Sequence, residues 1–210
     1  MKVCYTALFG DHDDLKEPAI ITPGWRYICF TDQPVISKVW EIIPTDVIDT
    51  PRRTARWFKI MGWIDWQYSM WVDASFTITC DLNEWWAKRF VSPFSAARHP
   101  LRTSIYAEAR ACIANGRDPE KKVEKQWLRY QSLGFPDHQG IITSGILLRE
   151  NTPECIQLHE AWWRELSEQS DRDQLAFAFV SLGSKLVTTY QWDYGSRMQK
   201  DFLYTKHKGQ

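Results

Sequence analysis

No two of the five cysteines (Cys4, Cys29, Cys80, Cys112 and Cys155) form a CxxC pair, and their number is odd. That removes the usual zinc spacing and any obvious disulfide framework. Cys29 lies within Tyr27-Ile28-Cys29-Phe30, where a thiol behaves as a small buried hydrophobe. No apolar run approaches the roughly 20 residues needed to span a bilayer. Met1 to Thr6 enters a strand pattern at once, without a charged-then-apolar leader, so a reducing cytoplasm is the expected setting. Charge of one sign is also missing. Lys and Arg total 26, as do Asp and Glu, so no global field draws the chain to nucleic acid or an anionic membrane. The phosphate cradles GxGxxG and GxxxxGK[ST] are absent, which excludes Rossmann dinucleotide and P-loop readings. So are Gly-x-Ser-x-Gly and His-Glu-x-x-His, the marks of two hydrolase classes. There is no repeat, low-complexity stretch or linker.

What is present suffices for one domain with a substantial core: 210 residues, 44% of them hydrophobic. Twelve tryptophans are a heavy load. Most must serve as core, although Trp also suits sugar rings and bases. Short apolar runs predict strands over 3–9, 26–30, 40–43, 68–72, 94–98, 141–148 and 185–189. The run at 141–148 is interrupted by Thr143-Ser144-Gly145. Thr50-Pro51 predicts a capped helix over 51–61, stopped by Gly62. Asp81 is set to cap a helix carrying Trp85, Trp86 and Phe90. Further helices are expected over 104–115, 119–133, 153–167 and 172–182. Early alternation of strands and helices indicates an α/β domain with a largely parallel sheet, in which ligands bind beyond the carboxyl ends of the strands. Gly10-Asp11, Asp32, Asp73 and the Ser144-Gly145 turn should therefore share one rim.

Asp73 ends an apolar strand and is followed by Ala74 and Ser75. A carboxylate there suits a divalent cation or a ribose, since Mg²⁺ and Mn²⁺ prefer oxygen ligands and share them with phosphates. An Asp that merely turns the strand fits equally well. Arg53, Arg56 and Lys59 on the helix after Pro51 could meet diphosphate charge, although a solvated cationic face is the commoner outcome for such a pattern. In Ser170-Asp171-Arg172-Asp173-Gln174-Leu175, Asp171 reads as a helix cap. Asp173 and Gln174 fall in the first turn, where a carboxylate suits the helix dipole and could also orient sugar hydroxyls. His99, in His99-Pro100-Leu101-Arg102, reads as a base, a hydroxyl partner or a structural residue, with the last slightly favoured. His207 stands in a polar tail for which disorder is the default.

Taken in order, several stretches resemble the GT-A-like glycosyltransferase domain family of plants and bacteria, whose plant members include mucilage-type enzymes. They are Val3 to Asp13, Cys29-Phe30-Thr31-Asp32, Ala55-Arg56-Trp57-Phe58-Lys59, Trp71-Val72-Asp73-Ala74-Ser75, Arg98 to Arg102, Gly134-Phe135-Pro136, Ser144 to Arg149 and Arg172 to Phe177. The resemblance, which extends distantly to glycogenin-like retaining transferases, implies a GT-A fold: a single Rossmann-like mixed sheet flanked by helices. It also implies transfer of a sugar, with retention, from a nucleotide diphosphate to an acceptor hydroxyl. Asp73 then takes the first carboxylate of an Asp-x-Asp motif that binds Mn²⁺ or Mg²⁺, and His207 is the C-terminal candidate for the metal. Ser75 replaces the second carboxylate and is a poorer ligand.

On this reading Thr6, Gly10 and Asp32 flank base and ribose. Asp73, Ser75, Ser144 and Gly145, with Arg53, Arg56 and Lys59, hold the rest of a donor, a UDP-sugar by expectation. Asp173 and Gln174 are the catalytic pair, and His99 and Arg102 face a carbohydrate or other hydroxyl acceptor, with modified nucleic acid left open. Residues 193–210 form a tail that could close over the site. The rival readings are a nucleotide-sugar hydrolase or nucleotidyltransferase, and a non-catalytic binding domain that uses its Trp residues as stacking platforms.

Overall fold

The computed structural model describes residues 1–191 and 198–208. The chain begins with strand β1 (Lys2–Leu8), β2 (Trp25–Thr31) and β3 (Glu41–Pro44), followed by helix α1 (Pro51–Met61). Then come β4 (Tyr68–Val72), β5 (Phe76–Ile78), α2 (Leu82–Arg89) and β6 (Phe94–Arg98). The second half holds α3 (Ile105–Ala114), α4 (Glu120–Ser132), β7 (Ile142–Glu150), α5 (Pro153–Glu168) and α6 (Asp173–Val180). It ends with β8 (Val187–Tyr190), α7 (Met198–Asp201) and β9 (Phe202–Tyr204).

Seven strands form one sheet in the order β3-β2-β1-β4-β7-β6-β8. The pairs β1–β2, β1–β4, β2–β3 and β6–β8 are parallel, and only β7 runs against its neighbours β4 and β6. The expected α/β architecture is met. Reversing one strand has a direct effect: the start of β7 reaches the rim where β4 and β6 end.

Both faces of the sheet are covered, which is why β1 reads as a continuous apolar run. Val3, Tyr5 and Ala7 pack with Phe58, Ile60 and Trp162 of α1 and α5. Cys4 and Leu8, one step out of phase, pack with Leu82, Trp85 and Trp86 of α2. The tryptophans serve this core: Trp25, Trp40, Trp63, Trp71, Trp85, Trp86 and Trp162 are all buried.

Helix α1 starts as its sequence predicts, with the Thr50 side chain accepting from Arg53 N and Pro51 in the first turn. Its last four carbonyls, which have no partner within a helix, are all satisfied from outside. Phe58 O accepts from Gly62 N, and Met61 O from Ile64 N. Ile60 O accepts from the Trp63 indole, and Lys59 O from both Tyr5 Oη and Arg149 Nη2.

Three expectations need correction. Strand β7 is not broken at Thr143-Ser144-Gly145; the irregularity lies in its pairing, where Ala96 meets Leu147 but Ala97 meets Thr143. Asp171 does not cap α6, whose N-cap is Arg172 without a side-chain bond. The chain end is not simply a polar tail. Strand β9 pairs antiparallel with β5, and Phe202 is buried. Residues 192–197, 209 and 210 lie outside the described residues, and all but residue 192 belong to the predicted tail.

Candidate active site

A cavity of about 480 Å³ opens at the rim shared by the ends of β4 and β6 and the start of β7. Its wall gathers residues far apart in sequence: Asp73 and Ser75, His99 and Arg102, Ser144 and Gly145, Asp173 and Gln174, and His207. Sequence reasoning assigned each of these to the site.

Asp73 is held from three directions. Its amide donates to Gly145 O at 2.8 Å. Its Oδ1 accepts from the Trp71 indole at 2.6 Å and meets Lys59 Nζ at 2.8 Å. Its Oδ2 faces Gly145, where an added Cβ would stand 3.5 Å from it and 2.9 Å from Phe76 Cε2. The Phe76 ring therefore leaves no room for a side chain at Gly145, and the Asp73 carboxylate lies just beyond it. Ser75 is only 3% exposed, and its carbonyl accepts from Thr205 N, which ties the chain end to the site.

Lys59 does not itself line the cavity but lies beneath its wall, behind Asp73 and Asp173. It is 2% exposed, yet its ammonium spans Asp73 and Asp173, the latter at 3.1 Å. Asp173, 1% exposed, also accepts from Ser144 Oγ at 2.7 Å and lies 3.7 Å from Arg56. Burial alone would raise its pKa. The charges of Arg56, Lys59 and Arg172, with the Ser144 bond, instead hold it well below the usual carboxylate range. Gln174 donates to Ile142 O at 2.8 Å, fixing the start of α6 to β7.

His99 takes the structural role. Its Nδ1 accepts from the amides of Leu101 and Arg102, while Nε2 lies 3.3 Å from Arg102 Nη2 and 3.7 Å from Glu108. Burial pushes its pKa down, against the opposing pull of Glu108. Arg102 pairs with the same Glu108.

Several predicted donor contacts fall elsewhere. Thr6 is 1% exposed inside β1 and does not line the cavity. Arg53 is spent on Asp49 and Asp171, and Arg56 donates to Asp171 O, so neither lines the cavity. Helix α1 buries the face that carried them against the segment leading into α6. Gly10 and Asp32 do meet, the Gly10 amide donating to Asp32 at 3.2 Å, but on the neighbouring strand ends outside the cavity wall.

His207 returns to the site because β9 leads it there. Its Nδ1 lies 3.0 Å from both carboxylate oxygens of Asp13, while Lys208 pairs with Asp11 and Asp14. Phe76, Phe202, Tyr204, Arg117 and Arg172 also line the cavity and had no signal strong enough to be assigned from sequence.

The family model for the TOD1/MUCI70 glycosyltransferase-like domain matches residues 51–203, a span that includes every cavity-wall residue except His207 and Tyr204. The chain belongs to that family. Among curated relatives, the probable hexosyltransferase MUCI70 of Arabidopsis thaliana is 26% identical over 137 residues. That alignment takes in 60% of this chain and 23% of the relative, so the chain spans about a quarter of that protein. Solved structures similar to this TOD1/MUCI70-family domain include the bifunctional glycosyltransferase WbbM (12% identity, 90% of this chain and 38% of that one, TM-score 0.47). The glycosyltransferase GlyE of Streptococcus pneumoniae gives 12% identity, 90% and 44% coverage, and a TM-score of 0.45. Mouse xyloside xylosyltransferase 1 gives 9% identity, 90% and 84% coverage, and a TM-score of 0.47. Among the described residues no helix is long and apolar enough to cross a membrane.

Whether the wall suits a divalent cation depends on the chemistry of its donors. Among the described residues no three His, Cys, Asp or Glu side chains form a cage. Two donors remain suitable: Asp73 Oδ2, on the side away from Lys59, and the His207 ring, whose Nδ1 is fixed by Asp13 so that Nε2 is the coordinating atom. A carboxylate behind an imidazole is the usual support for a metal ligand. Completed by phosphate oxygens, these two donor types would suit Mg²⁺ or Mn²⁺ arriving with a phosphorylated substrate.

Proposed function

We propose that this domain transfers a sugar from a nucleotide-diphosphate donor, a UDP-sugar first among them, to an acceptor hydroxyl with retention. The observation that carries the proposal is the convergence of Asp73, Ser144-Gly145, Asp173-Gln174 and His207 on one cavity at the carboxyl end of a mainly parallel sheet. Membership of a glycosyltransferase-like family agrees with it.

In this reading the nucleotide lies over the ends of β1 and β2, near Gly10 and Asp32, and the diphosphate meets Asp73 and His207. A divalent ion bound there would offset charge on the departing diphosphate. Asp173 stays ionised and keeps the Lys59 ammonium beneath the transferring sugar, so the site carries a fixed charge pair that does not need to reorganise. Ser144 and Gln174 are placed to orient sugar hydroxyls. We favour retention because the Nδ1 of His99, an imidazole on the acceptor side, is committed to the Leu101 and Arg102 amides, and its Nε2 faces the Arg102 guanidinium at 3.3 Å. It is poorly placed to deprotonate an acceptor. The stacking-platform alternative loses ground because, among the described residues, no Trp lines the cavity.

The test is thermal stabilisation of the protein by UDP-, GDP-, CMP- and ADP-sugars, with and without Mn²⁺, since a ligand that binds the native state raises its apparent stability. Stabilisation by at least one donor is expected to be lost in Asp73→Ala and to lose its Mn²⁺ dependence in His207→Ala. Failure of every donor to stabilise the wild type, or an unaltered response of Asp73→Ala, would overturn the proposal.

A further inference from the structure

The cavity has two chemically different ends. Around Asp73 the wall is acidic, but beyond Asp173 it presents three arginines, Arg102, Arg117 and Arg172. They stand on three separate segments, and each segment is pinned. The loop carrying Arg102 is closed by the two amide bonds to His99 Nδ1. The Arg117 amide donates to Cys112 O, its carbonyl accepts from Arg52 Nη2 at 2.6 Å, and the adjacent Asp118 carboxylate accepts from Asp171 N at 2.7 Å. That last bond ties the Arg117 loop to the segment bearing Arg172.

Their charge balance is uneven. Arg102 is neutralised by Glu108. Neither Arg117 nor Arg172 has an ion pair among the described residues, and Arg172 is 6% exposed with a buried Nε that lacks a hydrogen-bond partner. Asp173 and Glu108 act on this guanidinium without reaching ion-pair contact, so its buried Nε stays free for a ligand, and Arg is the side chain best shaped for planar oxyanions. Burial works against its charge, but Cys112, Asp173 and Glu108 outweigh that effect and keep it protonated.

The sheet order separates this end from the diphosphate end. Asp73 follows β4 and His99 follows β6, with β7 between them. Two strand spacings amount to about 10 Å, more than the width of one sugar ring. An anion that reaches from Arg172 toward Arg102 therefore extends away from Asp73, toward the side assigned here to the acceptor.

We infer that the acceptor carries an oxyanion, a carboxylate or a phosphate, received by Arg172 and Arg117 with Arg102 at the rim. That the anion belongs to an acceptor rests on the glycosyl-transfer reading; the existence of the anion site does not.

The test is an NMR titration of the whole chain with glucuronate, glucose 6-phosphate and uncharged methyl glucoside, with UDP as a separate titrant. The acidic sugars are expected to bind at least about tenfold tighter than methyl glucoside, as charge-assisted bonds to Arg require. Arg117→Ala, at an exposed position, should cut that preference about fivefold, and Arg172→Lys should reduce it while keeping the fold. UDP affinity should be unchanged in both. The tighter of glucuronate and glucose 6-phosphate identifies the oxyanion. Equal binding of charged and neutral sugars, no sugar binding at all, or a preference untouched by both variants would overturn the inference. If UDP binds and the acid preference is missing, the oxyanion site alone fails; if the preference is present and no nucleotide binds, the donor reading alone fails.

Discussion

Replacing Lys59 by Met removes a buried ammonium while keeping most of its aliphatic stem, so the change isolates charge from packing. In the wild type that ammonium lies 2.8 Å from Asp73 and 3.1 Å from Asp173. The two carboxylates respond differently to its loss. Asp73, with its side chain 32% exposed, can rehydrate, and its share should stay below about 1 kcal/mol. Asp173, at 1% exposure, cannot; it keeps Ser144 at 2.7 Å, the Gln174 amide at 3.1 Å and Arg56 at 3.7 Å, but loses its closest cation. Breaking a buried pair from one side costs about 3 kcal/mol or more.

The expected total for Lys59→Met is therefore about 3–4 kcal/mol at pH 7, or about 10 °C in Tm for a chain of this size. Urea unfolding of Lys59→Met, Asp173→Asn and the double variant measures it. The double variant should be about 2 kcal/mol more stable than the summed singles predict, because a neutral amide in place of Asp173 leaves no stranded charge. The pH dependence has a definite sign. Asp173 has a depressed folded pKa, so its contribution is present above about pH 4 and fades as pH falls toward the folded value. The gap between wild type and Lys59→Met should narrow below about pH 4. A loss under about 1 kcal/mol at pH 7, or strict additivity, would refute the reasoning.

Gly145→Ala would place a methyl group 2.9 Å from Phe76 Cε2 and 3.5 Å from Asp73 Oδ2. The ring must shift, at about 1–2 kcal/mol in denaturant unfolding, and donor-dependent stabilisation should fall by more than that cost explains. Phe202→Ala removes a ring that is 1% exposed and packs edge-on against Trp85 at 5.1 Å; about 3–4 kcal/mol should be lost in urea, with donor response lost alongside as β9 loosens. His159 is fully buried, and burial followed by the Arg149 charge puts its pKa well below 6.5, with His99 lowered in the same direction. Neutral in the fold and protonated when unfolded, they make stability constant above about pH 6.5. Below that it falls by about 1.4 kcal/mol per pH unit for each histidine that stays neutral. Urea midpoints that do not move between about pH 6.5 and 5.0 would contradict this.

Much of the architecture was legible because its signals are local. Thr50-Pro51 set the start of α1, and the apolar run ending at Asp73 set β4, both to the residue. Strands β5 and β9 were not legible. Phe76 pairs with Tyr204, and three-residue strands so far apart in the chain leave no periodicity to read. The site divided in the same way. Residues at strand ends and at the start of α6 followed from the rule for open sheets. The fate of the α1 cations did not, because it depends on which face α5 and the 167–173 segment cover. Arg172 carried no signal for a related reason: its flanking Asp171 and Asp173 pair with Arg53 and Lys59 rather than with it, and only the fold decides that.

The closed C-terminal end of α1 bears on timing as well as energy. A helical carbonyl points toward the C-terminus while the side chain tilts toward the N-terminus. Lys59 is therefore gripped below through its carbonyl by Tyr5 and Arg149, and projects its ammonium upward to the rim. Helix ends ordinarily fray on fast timescales; this one is clamped from β1 and β7 together, so its amides should exchange with solvent only through global unfolding. The cation beneath the sugar would then hold its position between turnovers as well as during them, and a substrate would meet a floor already set.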